Sequence, residues 1–236
     1  MTNQPENDAE EFRQARFTPP PGSTELLLVR HGESAPARRG HTFPLVDGLS
    51  DPDLAPEGRE QAERVADRLC VAKIDHVYVT PLRRTSQTAA PLVERLGMTP
   101  KVEPGLREVY LGEWEGGLFR QKVAENGETA KRLWTEQRWD VIPGAEPAEE
   151  FAARVREAIE RLAAAHPDET VAVFTHGGVI GQALAHAARS RPFAFVGADN
   201  ASISHLVITP EVWILRRFND TAHLDPAFSL VPTPLT

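Results

Sequence analysis

Leu26-Leu27-Leu28-Val29-Arg30-His31-Gly32-Glu33 decides the reading of this chain. A short unbroken apolar run, too short for a helix, suits a strand buried on both faces. The run stops abruptly in charge and glycine, so the chain turns there, and it turns on a histidine. Outward from this stretch the pattern repeats. His76-Val77-Tyr78-Val79 leads into Thr80-Pro81-Leu82-Arg83-Arg84-Thr85-Ser86-Gln87-Thr88-Ala89, and Val171-Ala172-Val173-Phe174 leads into Thr175-His176-Gly177-Gly178. Ile203 to Ile208 and Val212 to Leu215 are two further strand candidates, joined by a turn at Pro210.

Helical spacing fills the gaps between these runs. Ala62, Val65, Ala66 and Leu69 form one stripe, and Ala89, Leu92, Val93 and Leu96 a second. Val155, Ala158, Ile159 and Leu162 form a third, and Ile180, Ala183, Leu184 and Ala187 a fourth. Each reads as the core side of an amphipathic helix. Strands alternating with helices predict an α/β fold, a mostly parallel central sheet with helices on both faces and right-handed crossovers. Residues 112–145 break the rhythm. They hold Trp114, Leu118, Phe119, Leu133, Trp134 and Trp139 but no strand signal, with a break at Asn126-Gly127. They predict a helical insertion lying over a pocket as a lid. One domain is expected over residues 23–224, between an acidic, proline-ended tail (1–22) and a proline-rich one (225–236).

Composition narrows the class. The chain has 236 residues, 41% hydrophobic and 25% charged, as expected for a soluble globular protein. Cys70 stands alone, so no disulfide forms within the chain, which fits a reducing cytoplasm. No apolar stretch reaches the roughly 20 residues that span a bilayer. The net charge of −8 argues against nucleic acid or an anionic membrane as partner. An anionic substrate must therefore be held by local arginines against the global field. No close His, Cys or Asp spacing marks a metal site, and no cofactor motif is present. A homodimer is left open.

His31 and His176 both sit where a strand ends and a turn begins. In open α/β sheets ligands bind at that edge. Glycines beside each histidine admit close backbone approach, and a helix after Gly178 aims free N–H groups at an anion. The segment after the second of these strands, His76 to Val79, brings another arginine to the same edge. Two arginines and two imidazoles there make a cationic pocket.

In this order the motifs resemble the histidine phosphatase superfamily, whose other large branch is the cofactor-dependent phosphoglycerate mutases. Arg30-His31-Gly32-Glu33 opens the resemblance. Leu54 to Ala62, with Gly58 and Gln61, follows as the first helix. Arg84-Thr85 through Thr88-Ala89 is similar to the arginine segment. Leu106-Arg107-Glu108 before Gly112-Glu113-Trp114-Glu115-Gly116 resembles the acidic motif. Thr175-His176-Gly177-Gly178 supplies the second histidine, and Asn219 to Leu224 a closing segment. The resemblance covers roughly residues 24–224. It implies a metal-independent phosphomonoesterase acting on a small phosphorylated metabolite. His31 is then the nucleophile and Glu108 the proton donor. Arg30 and Arg84 clamp the phosphoryl oxygens, and His176 donates to the transferring group, with Gly177 beside it.

Some assignments stay open. Glu33 either holds the turn or touches substrate. Arg83 competes with Arg84, and the register with Thr85 and Thr88 favours Arg84. Glu113 and Glu115 compete with Glu108. Ser34-Ala35-Pro36-Ala37-Arg38-Arg39 departs from the mutase branch, which has a tryptophan and an asparagine there. Arg38 is accordingly either a contact to a second acidic group on the substrate or part of a solvated loop. Asp51-Pro52-Asp53-Leu54 has the look of an aspartate-nucleophile pair but lacks a strand before it, so a turn is expected. The alternatives to a phosphatase are phosphoglycerate mutase-type transfer and a non-catalytic phospho-ligand binding module.

Overall fold

The computed structural model describes residues 12–225. The first strand, β1 (Thr24–Arg30), lies in the middle of a six-stranded sheet. A two-residue pair follows, β2 (Leu45–Val46) and β3 (Leu49–Ser50), then α1 (Pro56–Leu69), β4 (His76–Val79), α2 (Arg83–Leu96) and β5 (Lys101–Val102). Two short helices come next, α3 (Leu118–Glu125) and α4 (Glu128–Glu136), then α5 (Ala148–Ala165), β6 (Thr170–Thr175) and α6 (Gly177–Ala188). An antiparallel pair closes the chain, β7 (Ile203–Ile208) and β8 (Trp213–Asp220).

The order across the sheet is β5-β4-β6-β1-β7-β8. β5, β4, β6 and β1 pair in parallel, while β7 and β8 run antiparallel at one edge. Alternation along the strands separates the two faces, because successive side chains point opposite ways. Leu26, Leu28, Val171 and Val173 pack with Val155, Ile159 and Leu162 of α5 and with Ile180 and Leu184 of α6. Val29, Ala172 and Phe174 pack on the other face with Val65 and Leu69 of α1 and with Leu92 of α2. The mostly parallel sheet with helices on both faces is the expected one.

Between Gly112 and Ala145 there is no strand. Asn126, at φ 49°, ends α3 and allows the chain to break before α4. The apolar residues of this insertion gather in their own cluster around Trp114, Leu133 and Ile142. Two elements carry no usable sequence signal. β5 and the β2–β3 pair are only two residues per strand, and both residues of β5 are exposed. Residues 12–22 hold no helix or strand, and the Arg216 guanidinium lies 3.8 Å over the Phe17 ring. The remaining tail residues, 1–11 and 226–236, lie outside the described residues.

The turn after β1 is clamped from the side by α1. Glu33 O accepts from Ala55 N at 2.9 Å, and Gly58 packs backbone to backbone on that turn. A Cβ on Gly58 would stand 2.0 Å from Glu33 O, and one on Gly32 would stand 2.5 Å from Gly58 O. Backbone atoms cannot rotate away as a side-chain tip does. Gly58→Ala should therefore cost about 1–3 kcal/mol through overpacking and shift the turn that carries His31. Urea unfolding checks this; an unchanged midpoint would show that the two backbones are not in contact.

Candidate active site

Three strands deliver their carboxyl ends to one place. β1 ends in His31, β6 in His176 and β4 in Thr80, which precedes α2 and Arg84. The parallel register of β1, β6 and β4 makes this convergence unavoidable. The His31 and His176 rings stand edge to face with centroids 5.3 Å apart. Arg30, His31, Arg84, Glu108 and Gly177 line a single cavity together with Gly178.

The backbone of His31 is held from both sides. Its N–H donates to Thr175 O at 2.9 Å, and its carbonyl accepts from Ala201 N and from Asn200 Nδ2. Its ring makes one bond, from Nδ1 to Gly32 O at 2.8 Å. A carbonyl oxygen only accepts, so Nδ1 carries the proton and Nε2 is left with a free lone pair. Burial, followed by the charges of Arg84 and Arg30, holds the imidazole well below its ordinary pKa. The ring is therefore neutral around pH 7.

His176 is fully buried and N-caps α6. Its Nε2 lies 2.9 Å from Thr80 Oγ1, while its Nδ1 is buried without a hydrogen-bond partner. Burial, then the charge of Arg84, lowers its pKa as well. Arg30 Nε is a second buried polar atom without a partner. Orphaned polar atoms of this kind are costly unless something binds them.

The two arginines that open α2 make different contacts. Arg84 is buried, and its Nη1 donates to Ser50 O at 2.7 Å. Desolvation pushes its guanidinium down to about 10. Arg83 points elsewhere, bonding Asp51 Oδ2 from Nε at 2.8 Å. Asp51 also accepts from Arg83 N, so the Asp51-Pro52-Asp53 stretch is a turn that ties down the start of α2. Asp53 accepts from Gln87.

Glu108 Oε1 accepts from Val109 N at 3.0 Å, and Oε2 from Gly178 N at 3.4 Å. Burial raises its carboxyl above the ordinary range, against the opposing pull of those N–H groups and of Arg84 and Arg30. The neutral acid is thereby easier to reach than in an ordinary glutamate. Glu115 also lines the cavity, but its oxygens are taken by Ser50 N, Ser50 Oγ and Leu111 N. Glu113 is exposed.

Other sequence candidates lie outside the cavity. Glu33 is exposed; its backbone, not its carboxylate, holds the turn through Gln61 and Ala55. Arg38 is exposed and is not part of the cavity wall. His223 reaches Ala201 O from Nε2, a packing role. The further cation in the cavity is Arg120, from α3 of the insertion. It donates to Ala35 O at 2.9 Å and to Ser34 Oγ at 2.7 Å. Burial lowers its pKa too. Nothing local distinguishes Arg120 from the other charged residues of a short helix, so sequence reading passed it over. Beyond these charges the wall is aromatic: Phe43, Trp114, Phe119, Trp134 and Trp139.

The buried guanidinium of Arg84 and the partly buried ones of Arg30 and Arg120 surround a neutral imidazole and outnumber the two carboxyl groups of the cavity, Glu108 and Glu115. A tetrahedral dianion matches that field and the orphaned donors.

Comparison with known proteins agrees with this chemistry. Residues 26–221 match the family profile described as the histidine phosphatase superfamily (branch 1). The chain is 32% identical to phosphoglycerate mutase-like protein 4 of Arabidopsis thaliana, over 85% of this chain and 87% of that one. It is 31% identical to phosphoserine phosphatase 1 of Hydrogenobacter thermophilus, over 85% and 94%. A mycobacterial glucosyl-3-phosphoglycerate phosphatase superposes with a TM-score of 0.70 at 28% identity, covering 84% of this chain and all of that one (100%). With both histidines, both arginines and the acidic residue meeting in the matched region, the chain belongs to the histidine phosphatase superfamily.

Proposed function

We propose that the chain is a phosphomonoesterase that hydrolyses a small phosphorylated compound through a phosphohistidine on His31. The observation that carries this reading is the tautomer of His31: Nδ1–H tied to Gly32 O, Nε2 unprotonated, in a ring of guanidiniums.

The Nε2 lone pair attacks phosphorus, forming the N–P bond as the ester P–O bond breaks. The leaving oxygen takes the proton of Glu108. Arg30 and Arg84 hold the equatorial oxygens, and His176 Nδ1 and the N–H groups opening α6 complete the cradle. Water then replaces the alcohol. Glu108, now a carboxylate, takes its proton while the oxygen attacks phosphorus, and the N–P electron pair returns to Nε2. The arginines supply the positive charge that phosphoryl transfer requires, so turnover is expected to be unaffected by chelators.

A mutase would use the same first step but must retain a phosphorylated product and reorient it. Arg120 alone extends the cationic surface, and most of the remaining wall is apolar, which favours release of the alcohol and attack by water. Phosphate release from a panel of metabolite phosphates tests the proposal; phosphoryl migration within phosphoglycerate without net phosphate release would favour the mutase.

The aromatic wall also sets an expectation for the leaving group. Among esters with equally poor leaving groups, benzyl phosphate should exceed phosphoserine in kcat/KM. Burying such a ring is worth about 1.5–3 kcal/mol, roughly 10- to 100-fold. Trp139→Ala should narrow the gap mainly through KM. Faster turnover of phosphoserine would overturn the leaving-group expectation, whereas no phosphate release from any ester would overturn the phosphatase itself.

A further inference from the structure

A second cluster of chemistry-bearing side chains lies at the opposite, amino-terminal edge of the sheet, away from His31. His76 opens β4, His166 caps the C-terminus of α5, and Glu169 immediately precedes β6. We propose that His76, His166 and Glu169 form a binding site for a divalent cation of the borderline class, zinc above all.

The three ligand atoms all lie within 4.8 Å of one another. Glu169 Oε2 is 2.7 Å from His166 Nδ1 and 3.2 Å from His76 Nε2. Two ring nitrogens thus aim at one carboxylate oxygen. Held by hydrogen bonds alone, each ring must present a proton to that oxygen. A single cation replaces both protons and satisfies all three groups. Ligand atoms around tetrahedral zinc stand about 3.3 Å apart, given bonds of about 2.0–2.1 Å. To reach that geometry Glu169 must open from the two rings by tenths of an ångström, and the two ring nitrogens, within 4.8 Å of each other, must stand about 3.3 Å apart.

The surroundings suit this role. The two imidazoles lie against each other, centroids 4.1 Å apart and planes tilted by 41°. His166 is buried, and Thr24 Oγ1 anchors its carbonyl at 2.7 Å. Its other nitrogen, Nε2, lies 2.9 Å from Tyr78 Oη. A hydroxyl can donate to that nitrogen or accept from it, so Tyr78 accommodates the tautomer that frees Nδ1 for a metal. Metal-ligating histidines commonly have such an outer partner. His76 and Glu169 remain about one-third exposed, leaving room for water as a fourth ligand. Two imidazoles and one carboxylate with an open position favour zinc or its neighbours over magnesium or calcium. The cation would pin the start of β4 to the turn between α5 and β6, so its effect is on stability.

The test uses untagged full-length protein stripped of metal and titrated with zinc by calorimetry at neutral pH. One zinc per chain is expected, with proton release, a raised Tm, and tetrahedral d–d bands when cobalt is substituted. The double variant His76→Gln/Glu169→Gln should lose the zinc-dependent rise in Tm while keeping its metal-free Tm. Tyr78→Phe should weaken binding about 10-fold. His31→Ala should bind zinc as the unaltered chain does. Absence of binding, full binding by the double variant, or loss of binding in His31→Ala would each overturn the site. Phosphate release plays no part in this readout.

Discussion

His31→Ala is expected to lose turnover by roughly 10⁴- to 10⁶-fold, as removal of a covalent nucleophile does, while keeping its fold. The fold should survive because the turn is held by its backbone: His31 N on Thr175 O, His31 O on Ala201 N and Asn200 Nδ2. The ring itself adds its bond to Gly32 O and its edge-to-face contact with His176. Its loss also removes a strained titration. The imidazole is neutral in the folded protein at pH values where an unfolded chain would protonate it. The unfolded state then binds more protons, so stability falls as pH drops from about 6.5 toward the lowered folded value. His31→Ala should flatten that part of the acid-unfolding curve. Rapid quench with radiolabelled substrate should trap an acid-labile phosphoryl group on the unaltered chain and none on the variant. A variant that hydrolyses at full speed, or a label that persists without His31, would sink the covalent mechanism.

Glu108→Gln should lower kcat by about 10²- to 10⁴-fold for esters with poor leaving groups, the usual worth of a positioned acid. The pH profile identifies the role. Activity requires neutral His31, so it falls as pH drops through the lowered pKa of that ring. It also requires protonated Glu108, so it falls as pH rises through the raised pKa of that carboxyl. Glutamine does not titrate, and the alkaline limb should vanish from the profile. An aryl phosphate departs without a proton, so the variant should still form the phosphoenzyme. Water attack then stalls for want of a base, giving a burst of about one phenolate per chain. If the alkaline limb persists in Glu108→Gln, another acid carries the proton, and Glu115 would be the next residue to alter.

Both results rest on tertiary placement, and the site shows how unevenly sequence foresaw it. His31 and His176 were legible because each follows an apolar run and precedes glycine, and a parallel sheet must bring such ends together. Arg84 was chosen over Arg83 by register alone; the structure adds the reason, since Arg83 is spent on Asp51. Arg38 was a reasonable candidate by charge, yet the cation that enters the cavity is Arg120 from α3. Glu33 was an even choice between turn and ligand, and its carboxylate lies outside the cavity.

Local pattern alone located strands at 26–29, 76–79, 171–174 and 203–208, within a residue or two of their observed ends, and the helices between them, because burial imposes a period along the chain. It also determined that residues 112–145, which hold three of the four tryptophans, would be helical. Only the folded chain decided which charges share a cavity, which nitrogen of His31 is free, and that His76, His166 and Glu169 meet at the far edge. Those facts depend on side chains brought together from distant parts of the chain, and a contact across space leaves no periodic mark along a sequence.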